Sequence, residues 1–209
     1  VANLLMGLLE SNSGKISFIN KEIKSYLKND RENFRKNIQM VFQDPYGSLN
    51  PRKTIGTTLS LAIKIHFNFD ENEIKNKVFE LLEKVELSPP EIFYDRHPHE
   101  LSGGQQQRVA IARAISTKPK LIISDEAVAS LDMSIRSEIL KLLKKINTET
   151  KVSMIMISHD LSVLKNMCNR IAIMHLGKIV EIGDKNEIFS SPQHDYTKKL
   201  ISATLEVPN

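Results

Sequence analysis

Residues 101–108, LSGGQQQR, place a serine and two glycines immediately before a helical pattern. Ser102 is of a residue type that caps helix N-termini, and glycines let backbone N–H groups approach a ligand closely. The pattern predicts a helix from Gln105 to Thr117, whose positive N-terminal end would face whatever lies over the glycines. Such a site suits an anion, and a phosphate in particular.

A second candidate site follows a largely apolar run, residues 121–124, which leads into Asp125 and Glu126. Consecutive apolar positions are typical of a strand that is buried on both faces, as in a parallel sheet. Carboxylates at the carboxyl end of such a strand lie where open α/β sheets bind their ligands. Either motif alone is weak, because Gly-Gly is usually a turn and Asp-Glu is usually a solvated strand end.

Together, and in this order, the two stretches resemble the signature motif and the Walker B strand of ATP-binding cassette (ABC) ATPases. The five residues LSGGQ occur here unaltered. Residues 43–52, QDPYGSLNPR, resemble the Q-loop of the oligopeptide and dipeptide importer ATPases. The resemblance runs from residue 1 to about residue 205. It implies an α/β fold of the P-loop NTPase type, with a mainly parallel sheet flanked by helices and an inserted helical subdomain.

The resemblance also implies roles for individual residues. Asp125 and Gln43 would hold Mg²⁺, since their oxygens suit a hard cation. Glu126 would orient or deprotonate the attacking water, while Gln43 and His159 would contact the water and the γ-phosphate of ATP. His159 follows another apolar run, residues 152–157, at the spacing of the family's switch histidine. The residues expected to contact a nucleotide held by a second subunit are Ser102, Gly103, Gly104, Gln105 and Asp132.

The family's phosphate-binding loop, G-x-x-x-x-G-K-[S/T], is not found in residues 1–209. Gly14-Lys15 fails the pattern, because Leu9 stands where the first glycine belongs and Ile16 where the serine or threonine belongs. We therefore expect Walker A and the N-terminal strands to be missing, and these residues alone neither to bind ATP tightly nor to hydrolyse it. We also expect apolar strand edges that are open to pairing.

We interpret residues 1–209 as a partial ABC ATPase domain. Residues 1–53 and 101–209 would form portions of the RecA-like core, and residues 54–100 would form the helical subdomain. The patterns predict helices over 1–9, 54–66 and 71–87, an amphipathic helix with apolar positions from 135 to 146, strands over 16–19, 37–43 and 152–157, and a hairpin of 170–175 and 178–182 turning at Leu176-Gly177.

The composition and the single cysteine limit the kinds of protein that this sequence can form. Hydrophobic residues make up 41% and charged residues 26%, which is ordinary for a soluble globular domain. The net charge of +4 is spread along the chain, so it argues only weakly for nucleic acid. Cys168 is the single cysteine, which excludes an internal disulfide and predicts a small buried apolar residue. His97-Pro98-His99 has no third metal ligand nearby and is expected to have a structural or solvent-facing role.

The resemblance implies an ATPase that energises peptide uptake from the cytoplasmic face of a prokaryotic membrane, with ATP and Mg²⁺ as cofactors. Its partners would be a second ABC ATPase subunit in a head-to-tail dimer, transmembrane permease subunits and, indirectly, an extracytoplasmic peptide-binding protein. The alternative is a non-catalytic remnant or assembly piece that supplies the signature motif to a partner ATPase. Nucleic acid is not expected as a partner, because the interval from Gln43 to Ser102 leaves no room for the coiled coils of the DNA-repair relatives.

Overall fold

The computed structural model describes residues 1–205, which form two compact units that meet in sequence at Ile157 and Ser158. The helices of the first unit are α1 (Ala2–Leu5), α2 (Ile23–Asn29), α3 (Arg31–Asn37), α4 (Pro45–Ser48), α5 (Ile55–Lys64), α6 (Glu71–Lys84), α7 (Pro90–Tyr94), α8 (Gly103–Ser116) and α9 (Met133–Thr150). Its strands are β1 (Ser17–Phe18), β2 (Lys21–Glu22), β3 (Ile38–Val41), β4 (Leu121–Asp125) and β5 (Ser153–Ile157). The second unit contains α10 (Leu161–Met167), β6 (Arg170–His175), β7 (Lys178–Asp184), α11 (Lys185–Ser190) and α12 (Asp195–Leu205).

A parallel sheet of three strands, in the order β3-β4-β5, forms the centre of the first unit. The central strand β4 contains Ile122 and Ile123, both fully buried, as expected for a strand covered on both faces. The pairing of Val41 with Ser124 brings the carboxyl ends of β3 and β4 to the same edge. The predicted α/β fold with a parallel sheet is therefore confirmed.

Helix α8 positions the signature residues against this sheet. It packs on β3 and on helices α4, α5, α6 and α9. Its apolar residues are almost fully buried, among them Val109, Ile111 and Ala112. The helix begins at Gly103, two positions before the predicted start at Gln105, because both glycines already adopt helical backbone angles after the Ser102 cap.

Residues 54–100 are helical, as predicted. Helix α5 begins after Thr54 and helix α6 after Asp70, and the side chain of each of these two residues accepts a hydrogen bond from the first turn. Helix α6 buries Ile74, Val78 and Leu82 on one face. The treatment of this segment as a separate subdomain stays a prediction, since the compact units divide between residues 157 and 158.

Helix α9 has the predicted amphipathic pattern. Ile139, Leu142 and Leu143 are buried, whereas Lys141 and Lys144 are exposed. The spacing of three and four positions places the apolar side chains on one stripe facing the core.

Two predicted elements differ from the structure. The first helix ends at Leu5 instead of Leu9, because Gly7 adopts a left-handed conformation with φ of +62° and the chain turns away. Strand β5 was expected to be buried, but Ser153 and Ile155 are exposed. Within residues 1–205 it pairs only with β4, so it is an edge strand.

The second unit contains the predicted hairpin, β6 and β7, paired antiparallel. Its turn lies at Leu176 and Gly177, which have φ of +47° and +77°, the left-handed values that two-residue hairpin turns require. Cys168, expected to be buried, is half-buried, and this burial raises the pKa of its thiol. No helix within residues 1–205 is long and apolar enough to cross a membrane.

Candidate functional site

The signature turn is fixed by a reciprocal pair of hydrogen bonds. Ser102 Oγ accepts from the backbone N–H of Gln105 at 3.3 Å, and Gln105 Oε1 accepts from the backbone N–H of Ser102 at 3.0 Å. This capping box confirms the predicted cap and leaves Ser102 and Gly103 exposed at the positive end of α8. The sequence did not show that the side chain of Gln105 is turned back onto its own helix.

The two signature glycines differ in their surroundings. A Cβ atom added at Gly104 would lie 2.6 Å from Cγ2 of Ile135, on α9. A Cβ atom added at Gly103 would lie 3.8 Å from Cδ2 of Leu131, which is an ordinary contact. Gly104 is therefore required by the packing of α8 on α9, a role that the sequence reasoning missed when it assigned both glycines to ligand approach.

A cavity of about 360 Å³ lies at the carboxyl ends of β3 and β4. It is lined by Gln43 and Asp125, the two predicted metal ligands, and also by Asp44. The carboxylate of Asp44 accepts a hydrogen bond from the backbone N–H of Tyr46 at 3.0 Å and caps α4. Carboxylate and amide oxygens are the donors that Mg²⁺ prefers, so the residues present fit this ion.

Glu126, the predicted catalytic carboxylate, has an unusual backbone conformation. Its φ is +51°, in the left-handed region that side-chain-bearing residues rarely occupy. Two backbone hydrogen bonds hold it there: its N–H donates to the carbonyl of Ile157 at 2.9 Å, and its carbonyl accepts from the N–H of Ala129 at 3.0 Å. Strain of this kind is concentrated at functional sites, where the surrounding structure over-determines it.

Three side chains tie the Q-loop segment to the rest of the first unit. Gln107 Nε2 donates to the carbonyl of Phe42 at 3.3 Å, and Arg113 Nη1 donates to the carbonyl of Ser48 at 2.5 Å. Both donors belong to α8, and burial lowers the pKa of the Arg113 guanidinium. The two bonds fasten residues 42–48 to helix α8, which carries the signature residues.

The third tie comes from the loop after β4. Ser130 Oγ donates to the carbonyl of Gln43 at 3.1 Å. The sequence reasoning missed this bond, because its two residues lie 87 positions apart. The structure therefore brings Gln43, Asp125 and Ser130 together.

The remaining predicted residues lie at helix starts. Asp132 precedes α9 and is exposed, with no hydrogen bond from its side chain to the helix. His159 is exposed in the second unit, just before α10. Its neighbour Asp160 caps that helix by accepting from the N–H of Ser162 at 2.9 Å. The roles of Asp132 and His159 stay predictions.

The His97-Pro98-His99 segment has a local structural role. The two imidazole rings stack with centroids 5.6 Å apart. Glu100 Oε2 accepts from the backbone N–H of His97 at 2.6 Å. This hydrogen bond holds the pKa of the Glu100 carboxyl below its usual value, with smaller contributions from the His97 side chain and from the charge of the histidines.

Comparisons with known proteins show the family to which this chain belongs. Residues 1–129 match the family described as ABC transporter. The chain is 43% identical over 199 residues to the glutathione import ATP-binding protein GsiA of Escherichia coli (strain K12), and equally to that of Salmonella paratyphi A. Each alignment covers 95% of this chain and 32% of the relative, so the chain spans about a third of the length of these relatives.

Solved structures of the same kind share the fold. The cbiO1 protein from Clostridium perfringens, described as part of the ABC transporter complex cbiONQ, has a TM-score of 0.78 and 29% identity, covering 99% of this chain and 78% of its own. The ATP-binding cassette MJ0796, bound to ADP and Pi, has a TM-score of 0.76 and 29% identity, covering 88% of this chain and 78% of its own. The chain belongs to the ABC transporter family.

Proposed function

We propose that this chain forms part of an ATP-binding and ATP-hydrolysing subunit that energises the uptake of peptides. The observation that carries the proposal is the cavity at the carboxyl edge of the parallel sheet, where Gln43 and Asp125 face the same space and Glu126 follows directly. The similarity to glutathione importers and the Q-loop sequence of residues 43–52 support a small peptide as the solute.

Four residues would divide the chemistry between them. Asp125 and Gln43 would hold Mg²⁺, which would supply charge neutralisation for the phosphate oxygens of ATP. Glu126 would orient or deprotonate the attacking water. The two backbone hydrogen bonds at its N–H and carbonyl fix the backbone from which the carboxylate projects. Gln43 is positioned for contact with water by the bond from Ser130 to its carbonyl. For His159, which lies in the second unit, the resemblance to ABC ATPases implies a polar contact to the γ-phosphate.

The signature residues serve the nucleotide of a second ATPase subunit in a head-to-tail dimer. Ser102, Gly103 and Asp132 are exposed, as such a role needs. Gly104 is covered by Ile135, and the side-chain oxygen of Gln105 is occupied in the capping box. We therefore expect Gly104 and Gln105 to contribute through the positive N-terminal end of α8, and not through a side-chain contact from Gln105.

The other partners are transmembrane permease subunits and, through them, an extracytoplasmic peptide-binding protein. The segment after Gln43 supports permease contact, because Tyr46 is 56% exposed and Arg52 is also exposed. We therefore propose that the subunit works at the cytoplasmic face of a prokaryotic membrane.

The test is phosphate release by the protein expressed from the complete reading frame that contains residues 1–209. We expect Glu126→Gln to abolish turnover, whereas Glu91→Gln, a matched change at an exposed carboxylate, leaves it intact. Residues 1–209 expressed alone should release no phosphate, since they contain no match to the phosphate-loop pattern. Turnover that survives Glu126→Gln would contradict the proposed chemistry.

Uptake of labelled dipeptides and glutathione by cells with and without the gene tests the solute. Loss of peptide uptake on deletion, with restoration by the wild-type gene and not by Glu126→Gln, is the expected result. Unchanged peptide uptake after deletion would overturn the peptide assignment. An intact protein that assembles with a partner ATPase but never hydrolyses ATP would instead identify a non-catalytic assembly piece.

A further inference from the structure

A second cavity, of about 380 Å³, lies at the amino ends of β4 and β5, at the other end of the strands from Asp125. Its walls come from α5, α6 and the last turn of α8, together with Ile122 and Val152 at the strand starts. Small-molecule sites in proteins occupy about 300–1,000 Å³ and are mostly apolar. The volume of this cavity is in the lower part of that range.

The inner surface of the cavity is apolar and aromatic. Ile63, Ile115 and Ile122 are buried with exposed fractions of 2%, 8% and 0%. Phe67 and Phe69 line another side, with ring centroids 5.5 Å apart and ring planes 17° apart. A flat aromatic body would pack well against this pair of stacked rings.

The outer surface of the cavity carries an excess of positive charge. Lys77, Lys84 and Lys118 line it, against a single lining carboxylate, Glu80. Lys77 pairs with Glu80 at 3.2 Å, and Lys84 pairs more loosely with Glu149 at 3.8 Å. Lys118 is exposed and forms no ion pair within the part of the chain that the structure describes. One cation therefore remains available to a ligand.

We propose that this cavity, here called the lysine-rimmed cavity, binds a small aromatic carboxylate. The ring lies against Phe67, Phe69 and the isoleucines, and the carboxylate is directed towards Lys118. Such a ligand contacts three helices and the start of β4 at once, so it stabilises the packing of residues 54–100 on the sheet. This site is separate from Gln43, Asp125 and Glu126.

The test uses 1-naphthoate as the probe and the neutral 1-naphthamide as its matched partner. Binding is followed by NMR of the isoleucine δ1-methyl groups of the full chain. We expect 1-naphthoate to shift the signals of Ile63, Ile115 and Ile122 and to leave Ile173, in the second unit, unchanged. Naphthamide should bind more weakly than naphthoate. Shifts confined to isoleucines outside the cavity, or no shifts at millimolar probe, would overturn the proposal.

Variants separate charge recognition from apolar binding. Lys118→Met should weaken naphthoate binding about 1.4- to 5-fold, from the known range for exposed charge pairs, and leave naphthamide binding unchanged. Lys141→Met, at an exposed lysine of α9, is the matched control and should alter neither. Raising the salt concentration should weaken naphthoate binding alone. Equal affinity for the acid and the amide, unaffected by the lysine changes, would refute a carboxylate site.

Discussion

Alanine substitutions at the two signature glycines should have opposite effects on stability. Both residues lie in the first turn of α8, so intrinsic helix propensity favours alanine at each by up to about 1 kcal/mol. At Gly103 the new methyl group meets only Leu131 at 3.8 Å. At Gly104 it would lie 2.6 Å from Cγ2 of Ile135, which is far inside van der Waals contact.

The magnitude follows from the cost of overpacking. Forcing an extra methyl group into a filled contact costs about 1–3 kcal/mol. After the gain in propensity, Gly104→Ala should destabilise the fold by about 0.5–2 kcal/mol, or a fall in Tm of roughly 1–8 °C for a chain of this size. Gly103→Ala should leave Tm unchanged or raise it slightly.

Thermal unfolding, followed by circular dichroism, gives the Tm of both variants. A third variant, Ile135→Ala, tests whether the steric clash is with Ile135. Ile135→Ala removes the Cγ2 atom that the new methyl group would meet. The double variant Gly104→Ala with Ile135→Ala should therefore be less destabilised than the sum of its parts, by about 0.5 kcal/mol or more. Equal losses of Tm for Gly103→Ala and Gly104→Ala, or an additive double variant, would refute the packing argument.

Three further changes test other contacts. Ser102→Ala breaks the capping box of α8 and should cost about 1 kcal/mol in the free energy of unfolding, measured by urea denaturation. The hydrogen bond from the N–H of His97 holds the folded-state pKa of Glu100 below its ordinary value of 4.5. The stabilisation from this contact is therefore present above pH 4.5, and it is lost as the pH falls through the lower, folded-state pKa. The ¹⁵N shift of the His97 amide should report that step. Ser130→Ala removes the hydrogen bond to the carbonyl of Gln43, so amides of the following segment should exchange faster in hydrogen-exchange experiments while global stability falls by only about 0.5–1.5 kcal/mol.

Each of these changes has a control within the chain. Ser134→Ala removes the hydroxyl of an exposed serine on α9 and should affect neither the stability nor the exchange rates near Gln43. Glu100→Gln should abolish the low-pH step at the His97 amide. A step that persists in that variant would assign the titration to another group. Unchanged exchange in Ser130→Ala would show that the tie to Gln43 is not formed in solution.

Local patterns predicted the elements whose periodicity is strong. The apolar stripe of α9 and the position of the hairpin turn at Leu176-Gly177 could be predicted from spacing and residue type alone. The exposure of β5 could not, because an apolar run has the same appearance in a central strand and in an edge strand. That difference depends on how many neighbours the strand has, which is a tertiary property.

The candidate site was predictable in its residue types but not in its supporting contacts. Gln43 and Asp125 were expected together because the resemblance to ABC ATPases implies it, and they line one cavity. The bonds from Arg113 to Ser48 and from Ser130 to Gln43 join residues far apart in the sequence. No periodicity reports a contact of that kind. The close approach of Gly104 to Ile135 was hidden for the same reason.

The left-handed backbone at Glu126 makes folding stability and the proposed catalytic activity favour different residues at one position. A side-chain-bearing residue there costs about 1–2 kcal/mol, which glycine would avoid and asparagine would reduce. A library randomised at 126 and screened only for heat resistance should therefore enrich glycine and asparagine. The same library screened for ATP turnover in the complete protein should return glutamate. Selection for thermal stability alone would thus replace the carboxylate on which the proposed ATP hydrolysis depends.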